Sequence, residues 1–240
     1  MRIAVVSDIH ANLAALEAVL AALQPFDAIW QLGDNVGYGP QPDEVVTRLR
    51  ESGATGVRGN HDAAAIGELA TASFNLDARA AVLWTAGIIS PETRAWLEAL
   101  PETLTEGAFT LAHGSPRDPT WEYVLTIPAA RANLAMMSTQ HAFIGHTHVP
   151  LVFREDDGLV ETLAPSDGTI LRLDERHTLL NPGSVGQPRD GDPRASAALL
   201  DTDAGNVEWR RVAYDIATTQ ARMRAVGLPR RLVDRLGHGQ

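Results

Sequence analysis

The chain has 240 residues, 45% hydrophobic and 21% charged, enough to bury the core of one α/β domain and too apolar for a disordered chain. It has no cysteine, which excludes disulfides, a thiol nucleophile, cysteine-ligated zinc and iron–sulfur clusters; any metal would rest on His, Asp, Glu, Asn or backbone oxygen. All 20 basic residues are arginine, which excludes lysine Schiff bases and a Walker-type lysine, and the net charge of −10 opposes binding of long nucleic acid or an anionic membrane.

Residues 3–6 form a short apolar run rich in β-branched side chains, suited to a strand buried on both faces. It ends in Ser7-Asp8-Ile9-His10. A helix is predicted next, capped by Asn12, with Leu13, Leu16, Leu20 and Leu23 along one face and Pro25 as its stop. Residues 28–32 read as a second strand ending at Gly33-Asp34. Residues 42–50 read as a helix with proline early and Asp43 and Glu44 in its first turn. A third strand, 54–57, ends at Gly59-Asn60-His61-Asp62. Three strand–tip–helix units imply a parallel sheet, whose strand carboxyl ends line the ligand crevice. Asp8, His10, Asp34, Asn60 and His61 all fall there.

Residues 62–100 read as helical in three pieces, 63–72, 76–87 and 91–100. Strands are predicted at 109–112, ending at His113-Gly114, and at 142–144, ending at Gly145-His146-Thr147-His148, with a helix at 128–137 between them. Short alternating runs from 151 to 212 suggest an antiparallel second sheet. A C-terminal helical segment spans about 215–236, interrupted at Gly227-Leu228-Pro229. The expected whole is α/β: two packed mixed sheets flanked by helices, one domain over 1–240. No targeting segment opens the chain and no run approaches the ~18 apolar residues of a membrane helix, so a cytoplasmic protein without membrane partners is expected.

Five of the eight histidines, His10, His61, His113, His146 and His148, fall at predicted strand ends; His141, His177 and His238 do not and read as structural. The blocks Asp8-Ile9-His10, Gly33-Asp34, Gly59-Asn60-His61-Asp62, His113 and Gly145-His146-Thr147-His148 resemble the calcineurin-like metallophosphoesterase superfamily, and within it the small bacterial and archaeal phosphodiesterases. The segments Gly33–Pro40 and Asn181-Pro182-Gly183-Ser184 support that narrower placement.

The resemblance implies a dinuclear centre. One metal would take Asp8, His10, Asp34 and His148; the other Asp34, Asn60, His113 and His146. Two divalent ions ~3.5–4 Å apart need a bridging carboxylate, a role that fits Asp34. In extended structure His146 and His148 would point the same way and serve adjacent ions. The nitrogen and oxygen donors suit two divalent ions per chain, Mn, Fe, Zn, Ni or Co, with Mn expected for activity. A water between the ions, acidified toward hydroxide, would attack phosphorus in line. His61 would assist the leaving group, with Asp62 either orienting its ring or capping the following helix.

Asn35 could orient a phosphate or the attacking water. Arg189 could clamp a phosphate, or pair with Asp190 or Asp192. Tyr38 could line the pocket or pack on its neighbours, and Arg58 is equally open. Trp30, Trp84, Trp96 and Trp209 read as core, and no aromatic platform for bases is evident. The expected activity is hydrolysis of small phosphodiesters or nucleotide-type substrates. Phosphomonoesters, dinucleoside polyphosphates, or a non-catalytic scaffold of the same fold are the alternatives. The oligomeric state is open, a homodimer included.

Overall fold

The computed structural model describes residues 1–240. Alternation explains its layers. In β1 (Arg2–Val6), Ile3 and Val5 face one way and Ala4 and Val6 the other, and all four are buried. Ala4 and Val6 meet Leu16 and Leu20 of α1 (Leu13–Ala22) and Val45 and Leu49 of α2 (Pro42–Glu51). Ile3 and Val5 meet Leu111 of β5 (Phe109–Ala112), Phe143 of β6 (His141–Phe143) and Leu180 of β10 (Thr178–Asn181), which belong to the second sheet. The outer face of that sheet packs Ala142, Phe153 and Leu179 against Ala130 and Leu134 of α6 (Ile127–Leu134). The order is helices, sheet, sheet, helix.

The first sheet runs β3-β2-β1-β11-β12-β9, with β2 at Ala28–Gln31, β3 at Thr55–Gly56, β9 at Ile170–Arg172, β11 at Ala195–Asp201 and β12 at Asn206–Val212. β1, β2 and β3 are parallel; β11, β12 and β9 are antiparallel additions, with Arg2 opposite Asp201. The second sheet runs β4-β5-β6-β10-β7-β8, with β4 at Thr103–Glu106, β7 at Leu151–Asp156 and β8 at Leu159–Leu163. The two packed mixed sheets flanked by helices match the expectation.

Three local expectations are corrected. The stretch from 151 to 212 does not make its own sheet: β7, β8 and β10 complete the second sheet, while β9, β11 and β12 extend the first. The helix expected at 63–72 is α3 (Asn60–Ala65), because the Asp62 side chain accepts from Gly59 N and starts it early, while Gly67, at φ +88°, stops it. Residues Asn60 and His61 thereby enter its first turn. β4, unforeseen, pairs antiparallel with β5 across Gly107. Beyond α3 come α4 (Leu76–Ile88) and α5 (Pro91–Ala99). The C-terminal segment is two helices, α7 (Ile216–Ala225) and α8 (Arg230–Arg235), broken where the sequence indicated. No helix is long and apolar enough to cross a membrane.

Candidate metal centre and substrate pocket

Each polar tip leaves the carboxyl end of a strand or opens the next helix. Asp8 and His10 follow β1, Asp34 follows β2, Asn60 and His61 open α3, His113 follows β5, and His146 and His148 follow β6. All eight are at most 4% exposed. Donor atoms of six of them fall into two groups, Asp8/His10/Asp34/His148 and Asp34/His113/His146, and within each group the atoms lie within 4.8 Å of one another. Asp34 belongs to both. Its Oδ2 is 3.6 Å from His10 Nε2 and 3.4 Å from His113 Nε2. Asn60 Oδ1 lies 3.0 Å from His113 Nε2, beside the second group.

The donor chemistry fits cations. His10 Nδ1 is 3.1 Å from Val36 O and His148 Nδ1 is 2.6 Å from Gln187 O. A carbonyl only accepts, so each Nδ1 carries the hydrogen and each Nε2 turns a lone pair inward. Those two Nε2 atoms approach to 3.1 Å with no hydrogen between them. Burial pushes both rings well below the usual histidine range, so both are neutral. Asp8 Oδ1, 3.3 Å from His148 Nε2, has no hydrogen-bond partner, and burial raises its carboxyl. Converging lone pairs and an unpartnered carboxylate oxygen, all buried, call for a positive ion. In the second group burial opposes charge on His113, yet the Asp34 carboxylate outweighs it and raises the ring to about 9. Burial likewise works to raise Asp34, and the charge of His113 prevails to hold it low.

The backbone is bent hard to achieve this. Asp8, His10, Asp34, His146 and His148 all take left-handed conformations, with φ between +49° and +63°. His146 and His148 therefore do not point together from an extended strand, as expected; two left-handed residues flank Thr147 and send the rings to different groups. Gly59 is required by close approach: a Cβ there would lie 2.1 Å from Asp34 Oδ1.

His61 borders the pocket beside these groups. Its N–H donates to Asp34 Oδ1 at 2.8 Å, and its ring packs on His10, Tyr38 and Phe74. Burial lowers it to about 4. Asp62 does not touch that ring through a hydrogen bond. It accepts from Val36 N, Asn35 Nδ2 and Gly59 N, tying the loop after β2 to the start of α3, and His61 Nδ1 has no partner. Asn35 Nδ2 donates to Gln31 Oε1 and Asp62 Oδ2, while its Oδ1 has no partner.

Arg189 does reach the pocket. Asp190 pairs with Arg211 and Asp192 with Arg194, leaving Arg189 without a carboxylate partner. It donates to Gln187 Oε1 at 3.1 Å and lies over the Tyr38 ring, 5.8 Å from its centroid. Arg58 instead pairs with Glu68 at 2.8 Å. The pocket also contains Phe74, Trp121 and Tyr123, which the sequence reading missed. The available signal was Trp121-Glu122-Tyr123, two aromatic residues in the connection that follows His113. Trp30 and Trp209 are core residues as expected.

Residues 1–205 match the calcineurin-like phosphoesterase superfamily domain. The chain belongs to this superfamily. The crystal structure of a metallophosphoesterase from Sphaerobacter thermophilus superposes with a TM-score of 0.92 at 48% identity, over 100% of this chain and 99% of that one. The protein MJ0912 of Methanocaldococcus jannaschii is 36% identical over 99% of this chain and 98% of its own length. Phosphodiesterase YfcE of Escherichia coli is 28% identical over 86% of this chain and 91% of its own length.

Proposed function

We propose that this calcineurin-like phosphoesterase hydrolyses small phosphodiesters or nucleotide-type esters with two divalent metal ions, manganese favoured. The observation that carries the reading is the sharing of Asp34 between two buried donor groups beside a pocket that holds an unpaired arginine. The diester preference is supported by the likeness to a phosphodiesterase.

Asp8, His10, Asp34 and His148 would hold one ion, and Asp34, Asn60, His113 and His146 the other. Bound there, the ions supply Lewis-acid neutralisation of phosphoryl charge and lower the pKa of water at the site. The chain supplies the rest. Arg189, free of carboxylates, binds a non-bridging phosphoryl oxygen. His61, fixed by its backbone bond to Asp34 and by the rings around it, offers a hydrogen bond from its ring N–H to the leaving oxygen. Asp62 and Asn35 hold the loop that positions His61 and Asp34, without touching substrate.

Metal analysis with a panel of monoesters, diesters, cyclic nucleotides and dinucleoside polyphosphates tests this. About two ions per chain and hydrolysis of an aryl diester are expected. H61A should lower kcat by about 10²-fold or more while keeping both ions. Two bound ions with no hydrolysis of any ester under any metal would make the protein a scaffold. Loss of metal in H61A would make His61 a ligand.

A further inference from the structure

The cavity beside the donor groups measures about 90 Å³. Its lining joins Asp34, Asn60, His146 and Arg189 to Phe74, Trp121 and Tyr123, so a phosphoryl group held at the donor groups would carry its substituent past these rings. Phe74 meets His61 edge to face at 4.9 Å between centroids, and Trp121 meets Phe74 the same way at 5.4 Å. Tyr123 stacks on His146 at 4.0 Å with an interplanar angle of 30°.

These rings are not sealed in the core. Phe74 and Trp121 are half-buried and Tyr123 is 48% exposed. They arrive from two separate connections, α3 to α4 and β5 to α6, and meet only here. Partly exposed rings gathered at a polar pocket mark a binding surface more than a packing need. Phe74 rests directly on the His61 ring; Arg189, its main-chain N–H donating to His148 O at 3.2 Å, lies over Tyr38, which also packs on His61.

We propose that Phe74, Trp121 and Tyr123 form a stacking subsite that selects phosphoesters whose leaving group carries a planar aromatic ring. The inference rests on the phosphoesterase reading, because His61 marks the leaving-group side only within it. A ring entering the mouth would find an edge or face of each of the three residues, and stacking tolerates any flat π-system. Aryl alcohols and base-bearing nucleosides share that chemistry.

The test is calorimetric binding to the manganese-loaded protein, without turnover. The probes are inorganic phosphate, methylphosphonate, phenylphosphonate, ribose 5-phosphate and adenosine 5′-monophosphate. Phenylphosphonate should bind about 10-fold tighter than methylphosphonate, the scale of one stacked ring. That ratio should fall to about 1 in W121A and F74A and persist in W121F, with phosphate affinity in each variant reporting that the metal site survives. A gain for the adenosine ester over ribose 5-phosphate extends the subsite to nucleosides; a phenyl gain alone supports it for single rings. Equal affinity of the two phosphonates in a wild-type protein that binds phosphate overturns the subsite and spares the phosphoesterase reading. No phosphate binding at all overturns both.

Discussion

Gly59→Ala probes the placement of Asp34 by steric means alone. Gly59 has φ −92°, a conformation alanine adopts freely, so the backbone carries no strain in the variant. The added Cβ would sit 2.1 Å from Asp34 Oδ1 and 2.3 Å from Asp34 N. Ordinary contact begins near 3.4 Å, which leaves a shortfall of about 1.3 Å. A rotamer change cannot absorb it, because one of the two clashing atoms is backbone. Asp34 must therefore retreat with its loop, and metal–ligand distances tolerate only about 0.2 Å. Since Asp34 joins both donor groups, both ions should bind weakly, and activity should fall by more than about 100-fold. Overpacking should also cost about 1–3 kcal/mol. For a domain of this size that lowers Tm by roughly 2–12 °C. Plasma mass spectrometry for metal, calorimetry for Tm and ester hydrolysis read the three effects. A folded G59A protein with two ions and normal turnover would refute the placement of Asp34 between the groups.

The contrasting position is Gly87, exposed in α4, where an added Cβ would meet no atom within 4 Å. G87A should gain about 0.5–1 kcal/mol in urea unfolding; no gain would mean that α4 frays before residue 87. Burial lowers His141 to about 4, and its Nδ1 has no partner. The contribution of this depressed pKa is full above the unfolded value of about 6.5 and is lost as pH falls toward 4. H141F should flatten the stability–pH curve in that window relative to wild type, by at most about 3 kcal/mol; parallel curves would sink the assignment. D62N turns an amide toward the donors Val36 N, Gly59 N and Asn35 Nδ2. It should cost about 1–3 kcal/mol and leave the shape of the kcat–pH profile unchanged. A displaced profile at unchanged stability would return Asp62 to orienting His61.

The candidate site was legible because its signals are local. Asp8 closes the β-branched run of residues 3–6, and Asp34, Asn60, His113 and His146 each sit beside a glycine, so position along the chain places them at strand ends. The fold gathers Asp8, His10, Asp34 and His148 into one buried group and Asp34, His113 and His146 into another. What failed depended on partners far away in sequence. Alternation in 151–212 says which face a residue takes, but not that Leu179 and Leu200 belong to different sheets. Asp62 and Asn35 read as site polar groups, yet Asp62 accepts from Val36 N, Gly59 N and Asn35 Nδ2, and Asn35 Nδ2 is spent on Asp62 and Gln31. The ring-lined mouth was invisible because Phe74 and Trp121 reach each other only through the packing of two connections.

The left-handed backbone at Asp8, His10, Asp34, His146 and His148 has a consequence for engineering. Each such residue costs roughly 1–2 kcal/mol, against a total stability on the order of 5–15 kcal/mol for a folded domain. Glycine at any of these five positions removes that cost along with the side chain. A thermostabilisation screen run on chelator-treated protein and scored by Tm would accept any of those glycines whose relief of strain outweighs the side-chain contacts it deletes. It would dismantle the site while appearing to improve the molecule, so a ligand-dependent readout belongs in the first round of selection.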